Sequence, residues 1–248
     1  MRKVLAFAAL ALLVAKGAPA GEQMISFKSG DEEASAFLVT PEGKGPFPGV
    51  VVIHEWWGLN DWVKDQARAL AKEGYAALAV DVYRGKVTSK QEEAHQFMMG
   101  MPPDRALRDL RAGFAYLQSR PELGKSRIGA IGWCLGGGYT LRLATAEPKL
   151  AAAVAYYGTP PTDAAAIAAI QAPVMGSFGG EDKGPSPELV QAFEAAMKKA
   201  GKTIDVKIYP SAGHAFANVN NPWGGYRKEA AEDAWARTTA FLAKYLKS

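Results

Sequence analysis

The sequence predicts an α/β fold, with a mostly parallel central sheet, helices on both faces and an antiparallel hairpin at the N-terminal edge. Three observations carry this. From residue 49 onward, short β-branched or small-residue runs alternate with longer segments of helical spacing. The runs at 49–53 and 76–82 are apolar almost throughout, as strands covered on both faces must be. Past residue 21 there is no internal repeat, low-complexity tract or Pro/Ser-rich linker, so residues 21–248 read as one domain.

Composition narrows the field. The 248 residues are 48% hydrophobic and 22% charged, which excludes a disordered, collagen-like or coiled-coil chain. A single cysteine forms no internal disulfide. The three histidines are scattered and no Cys-rich or His-rich tract is present, so neither a metal nor a cofactor is expected.

The N-terminus reads as a signal peptide over residues 1–20. Arg2 and Lys3 precede an apolar run at 4–14, and Ala18-Pro19-Ala20 supplies a small-residue cleavage site. That run is too short to span a bilayer core, so the expectation is export to a periplasm or the exterior, with no stable membrane anchor after cleavage. The formal charge of +4 shrinks once the leader is removed. Arg2, Lys3 and Lys16 go with it, leaving 26 basic residues against 25 acidic. Nucleic-acid binding, which needs clustered positive charge, is not expected.

Taken in order, 24–27 and 34–39 are two short strands around a turn-rich 28–33. After the strand 49–53, Asn60 or Asp61 caps a helix that stops at Gly74. The strand 76–82 is followed by helices at 89–99 and 104–117, separated by Pro102-Pro103. The strand 127–132 runs directly into Trp133-Cys134, and 135–145 continues as a helix. Further strands are expected at 151–157, 173–178 and 206–209. Helices are expected at 162–170, between Ser186 and Gly201, and at 226–246.

Gly132-Trp133-Cys134-Leu135-Gly136 has the form G-x-nucleophile-x-G, with cysteine at the centre. A nucleophile on so sharp a strand-to-helix turn sits in strained backbone, and its neighbours must lack bulk. The helix N-terminus beyond it favours a thiolate and a developing oxyanion. The competing reading is an inert core thiol beside glycines that only pack a helix on a sheet. Asp182 and His214 weigh against that. They follow the cysteine in the order acid, then histidine, each in a loop just past a strand. His214 would take and return the thiol proton, and Asp182 would hold the imidazole tautomer, with Glu181 as the competing acid.

His54-Glu55-Trp56-Trp57-Gly58 follows the first parallel strand and faces the same edge. The N–H groups expected to hold an oxyanion come from this turn and from Leu135. Trp56 and Trp57 either line a substrate pocket or pack under the following helix. Glu55 opposes an oxyanion, so it either points away or has a role with the thiol proton.

Together, His54-Glu55-x-x-Gly58, the Gly132-x-Cys134-Leu135-Gly136-Gly137 elbow, Gly180-x-Asp182 and Gly213-His214-x-Phe216 resemble the dienelactone hydrolase family of α/β-hydrolases. The resemblance implies an α/β-hydrolase fold and a Cys134–His214–Asp182 triad. It implies oxyanion donors at the Trp56 and Leu135 amides, and a Glu55 that contacts the resting thiol and accepts its proton. The implied activity is cleavage of a small ester or lactone, of the carboxymethylenebutenolidase type, through a thioester acyl-enzyme. Two positions depart from the family pattern. Asn218 stands where substrate-carboxylate enzymes of the family have arginine after His-x-Phe-x, and Arg84 follows Tyr83 one position early. Arg84, Trp57 and Asn218 are therefore the candidate substrate contacts. The alternatives are a carboxylesterase or thioesterase for uncharged substrates, and a non-catalytic ligand-binding relative.

Overall fold

The computed structural model describes residues 21–122 and 127–247; the leader expected at 1–20 lies outside them. An eight-stranded sheet runs in the order β1-β2-β4-β3-β5-β6-β7-β8. Its strands are β1 (Gly21–Ser29), β2 (Glu32–Thr40), β3 (Gly49–Ile53), β4 (Ala76–Val80), β5 (Ile128–Trp133), β6 (Ala152–Tyr156), β7 (Val174–Gly179) and β8 (Ile204–Tyr209). β1 and β2 form the expected antiparallel hairpin and β2 meets β4 antiparallel; every other pairing is parallel. The hairpin is longer than its hydrophobic residues imply. Pairing runs to Ser29 opposite Glu32, so Gly30-Asp31 alone makes the turn, and Gly30 takes a φ of +62° that a two-residue loop demands.

The helices are α1 (Asp61–Lys72), α2 (Gln91–Met99), α3 (Pro103–Gln118), α4 (Leu135–Ala146), α5 (Ala164–Ala169), α6 (Pro187–Lys199) and α7 (Lys228–Leu246). Asn60 caps α1 by accepting from the Val63 N–H, and Ser186 caps α6 by accepting from Leu189. Pro103 opens α3 as its first residue instead of merely ending its predecessor, because a first-turn position needs no N–H. Two hydrophobic cores fill the faces of the sheet. Val51, Leu78, Leu110 and Leu141 belong to one, and Val50, Val63, Val154 and Leu242 to the other. Among the described residues, no helix is long and apolar enough to cross a membrane.

The strand order reverses at β3. From there the chain moves outward to β4, then returns across β3 to β5, which leaves a crevice at the carboxyl ends of β3 and β5. Ile53 is in register with Gly132, so the segments that follow, Glu55-Trp56 and Cys134, are neighbours at that crevice. The ends of β6, β7 and β8 lead to Tyr157, Asp182 and His214 along the same edge.

Candidate active site

β5 ends at Trp133 and α4 begins at Leu135, so Cys134 alone turns the chain. It has φ 55° and ψ −118°, a left-handed conformation that costs a non-glycine residue about 1–3 kcal/mol. Its N–H donates to the Tyr156 carbonyl at 3.0 Å, and its own carbonyl accepts from Gly138 at 3.2 Å. A Cβ on Gly136 would lie 2.2 Å from the Ile53 carbonyl oxygen, and one on Gly132 would lie 2.2 Å from that of Gly136. The flanking glycines thus let the first turn of α4 press against the end of β3. Leu135, the first residue of α4, has an N–H with no carbonyl four residues back within the helix.

His214 reaches this turn from the loop after β8. Its Nδ1 lies 2.8 Å from Asp182 Oδ2, and its imidazole lines the same cavity as the Cys134 sulfur. Burial pulls the imidazole pKa down, but the hydrogen bonds to Asp182 and Cys134 and their charges outweigh it and lift it to about 10. Asp182 is 5% exposed, and its Oδ1 accepts from the Gly184 N–H at 2.9 Å. Glu181, its competitor in sequence, is exposed to solvent.

Glu55 is buried at 1% exposure. Asn218 Nδ2 donates to its Oε2 at 2.6 Å, and the Tyr157 hydroxyl to its Oε1 at 3.4 Å. Burial raises the carboxyl pKa to about 7, against the pull of Asn218, the nearby His214 and Tyr157. Tyr157 is itself buried, and that burial together with the Glu55 charge holds its hydroxyl well above 10, so it remains a donor. Both Glu55 oxygens are thus engaged by neutral donors, and among the described residues neither oxygen hydrogen-bonds the Cys134 thiol. Asn218, at 2% exposure, supports Glu55 from within the protein and is not among the described residues lining the tryptophan cavity. The preceding His54, fully buried, donates from Nδ1 to the Glu55 carbonyl, and burial keeps it neutral by lowering its pKa.

Trp56 and Trp57 line a cavity together with Glu55, Cys134, His214 and Trp223. Arg84 does not join them. Its guanidinium contacts Asp109 Oδ1 at 2.9 Å and Glu32 at 3.2 Å, and it borders a separate cavity with Tyr83 and Arg105. Arg84 is held in an ion pair with a fully buried carboxylate on α3.

Two residues at the site went unread in the sequence, Tyr157 and Trp223. Tyr157 has a φ of +37° and packs edge-on against His214 at 5.2 Å; the available signal was a bulky residue just before a glycine at a strand end. Trp223 stands in Asn221-Pro222-Trp223-Gly224-Gly225, where a lone aromatic among turn formers was the signal. Among the described residues, no group of three or more His, Cys, Asp or Glu side chains is placed to hold a metal ion.

Residues 34–246 match the model of the dienelactone hydrolase family. The chain belongs to that family. A Methylorubrum extorquens protein named "Putative carboxymethylenebutenolidase" is 34% identical over 245 residues, covering 93% of this chain and 83% of its own. A Saccharolobus solfataricus protein of the same name is also 34% identical, covering 91% and 100%. The crystal structure of a Klebsiella pneumoniae protein named "Putative Dienelactone Hydrolase" superposes with a TM-score of 0.82 at 30% identity, covering 92% of this chain and 99% of the other. As a dienelactone hydrolase family member with these relatives, the chain is a hydrolase of ester or lactone bonds.

Proposed function

We propose that the dienelactone hydrolase chemistry runs here through a Cys134–His214–Asp182 triad and a thioester acyl-enzyme. The observation that carries this is the placement of the His214 imidazole, with Asp182 at 2.8 Å from Nδ1 and the Cys134 sulfur lining the same cavity. His214 carries the thiol proton as an imidazolium while the sulfur attacks the substrate carbonyl, and Asp182 orients the ring and balances that charge. The oxyanion forms beside the N–H groups of Leu135 and Trp56. His214 then protonates the departing oxygen, and a water it activates cleaves the thioester, returning the proton to sulfur.

We assign the proton transfer to His214 and not to Glu55, whose carboxyl is occupied by Asn218 and Tyr157. Glu55 instead sets the charge beside the forming oxyanion: neutral it permits that charge, and ionised it opposes it. A second reading, an esterase for uncharged substrates, is favoured because no Lys or Arg is among the described residues lining the tryptophan cavity.

Cys134→Ala is expected to lower kcat/KM on small activated esters by about 10⁴-fold or more. Mass spectrometry of wild-type protein quenched during turnover should show the acyl mass on the Cys134 peptide. Full turnover by the alanine variant would remove the mechanism. For location, we propose export directed by residues 1–20; N-terminal sequencing of protein recovered outside the cytoplasm should begin at Gly21, and an intact leader would contradict this.

A further inference from the structure

Cys134 and His214 border two cavities of different character. One, of about 170 Å³, is walled by Trp56, Trp57 and Trp223. The other, of about 800 Å³, runs along α4 and α5 past Leu135, Tyr139 and Pro160. A closed apolar cavity of ~150 Å³ holds a benzene ring, so the first has room for one aromatic ring and the second for a longer chain.

The three indoles form a continuous surface. Their ring centroids lie 5.0 Å apart for Trp56–Trp57, 5.9 Å for Trp56–Trp223 and 5.7 Å for Trp57–Trp223. Trp223 is 51% exposed, an unusual placement for so large an apolar side chain. Its loop is nonetheless fastened to the catalytic segment. The Trp223 N–H donates to Asn221 Oδ1 at 3.0 Å, and Asn221 Nδ2 donates to the carbonyls of His214 and Ala215 at 3.4 Å. The exposed indole is therefore held in register with the imidazole.

Charge defines what enters. Among the described residues, the ionisable side chains lining the tryptophan cavity are Glu55, Cys134 and His214, with no Lys or Arg. A carboxylate on the ring would meet Glu55, and the one cationic group there, His214, is already paired with Asp182 at 2.8 Å. The larger cleft carries Arg142 and Asp163, of opposite sign. Arg142 packs over the Tyr139 ring, and the Asp163 carboxylate caps α5.

We propose that the substrate is an uncharged ester with an aromatic ring in its alcohol and an apolar acyl chain, and that Trp223 sets the ring preference. This rests on the cysteine-hydrolase reading above. The alcohol must leave while the acyl group stays bonded to sulfur. The small cavity, capped by a half-exposed side chain, suits the departing group, and the larger cleft beside α4 suits the one that remains.

The test measures kcat and KM for benzyl butyrate, ethyl butyrate and 4-carboxybenzyl butyrate with wild-type protein, Trp223→Ala, Trp223→Phe and Cys134→Ala. Benzyl and ethyl alcohols are similar leaving groups, so their ratio reports binding of the ring. Wild type should favour benzyl over ethyl butyrate by about tenfold, largely in KM, and should disfavour the carboxylated ester by about as much. Trp223→Ala should remove most of the benzyl-to-ethyl ratio, and Trp223→Phe should keep most of it. A ratio unchanged in Trp223→Ala, or a carboxylated ester used as well as the neutral one, overturns the inference provided that Cys134→Ala is inactive on all three. Activity retained by Cys134→Ala overturns the cysteine mechanism itself.

Discussion

Two buried carboxylates, Asp109 on α3 and Glu55 at the end of β3, are handled in opposite ways. Asp109 meets a cation: Arg84 donates to both its oxygens, Ser29 donates to Oδ1 at 2.5 Å, and Arg84 also reaches Glu32 on the hairpin. Glu55 meets only neutral donors, Asn218 and Tyr157, and burial raises its pKa to about 7. The first arrangement ties the hairpin to α3 through an ion pair. The second leaves a carboxyl able to change charge near neutral pH, beside the sulfur. Arg84 thus serves the scaffold, and among the described residues lining the tryptophan cavity there is no Lys or Arg, which is the physical basis for expecting an uncharged group there.

The comparison breaks first at Arg84. Arg84→Ala leaves Asp109, whose side chain is fully buried, without its cation, and removing one partner of such a pair costs about 3 kcal/mol. For a chain of this size the melting temperature should fall by roughly 8 °C. Activity of the folded variant on neutral esters should stay within about threefold of wild type, because Arg84 does not border the tryptophan cavity. A stable variant that has lost activity would return Arg84 to the substrate.

The Arg84 ion pair marks where local sequence pattern stops and tertiary packing begins. The strands, the elbow and the loop positions of Asp182 and His214 were legible because they rest on local pattern: β-branched runs, glycines around Cys134, and turn residues after each strand. The ion pairs of Arg84 were not legible, because its partners Asp109 and Glu32 lie 25 and 52 positions away and are brought together only by packing. Asn218 was noticed as a missing arginine, but its partner Glu55 is 163 residues earlier, so its supporting role had no local signal. The hairpin was read short because exposed residues such as Glu22 and Lys28 pair through backbone that no hydrophobic pattern marks.

The neutral setting of Glu55 predicts a pH-dependent cost. Its pKa rises from 4.5 to about 7 on folding. The folded state therefore binds the proton more tightly, and this stabilisation is complete below pH 4.5 and lost as pH rises through 7. The difference corresponds to about 3 kcal/mol. Glu55→Gln keeps an acceptor for Asn218 and has no proton to lose. Relative to wild type it should gain stability across that window and hold a constant advantage above it, as measured by urea unfolding at pH 4.5, 6, 7 and 8.5. An advantage independent of pH would mean that Glu55 does not titrate there.

The smallest effect sharpens the comparison at Asn218. The 2.6 Å hydrogen bond from Asn218 favours the ionised carboxyl, so it opposes the burial that raises the Glu55 pKa. Asn218→Leu removes that donor and should move the Glu55 titration upward from about 7 by about one pH unit, since a hydrogen bond to a charged group contributes ~1.5 kcal/mol or more. Asn218→Ser, which keeps a shorter donor, should fall between the two. Carboxyl carbon NMR of ¹³C-labelled glutamate reads the midpoint directly, with Glu55→Gln identifying the resonance. An unchanged midpoint in the leucine variant would show that Asn218 packs beside Glu55 without governing its charge.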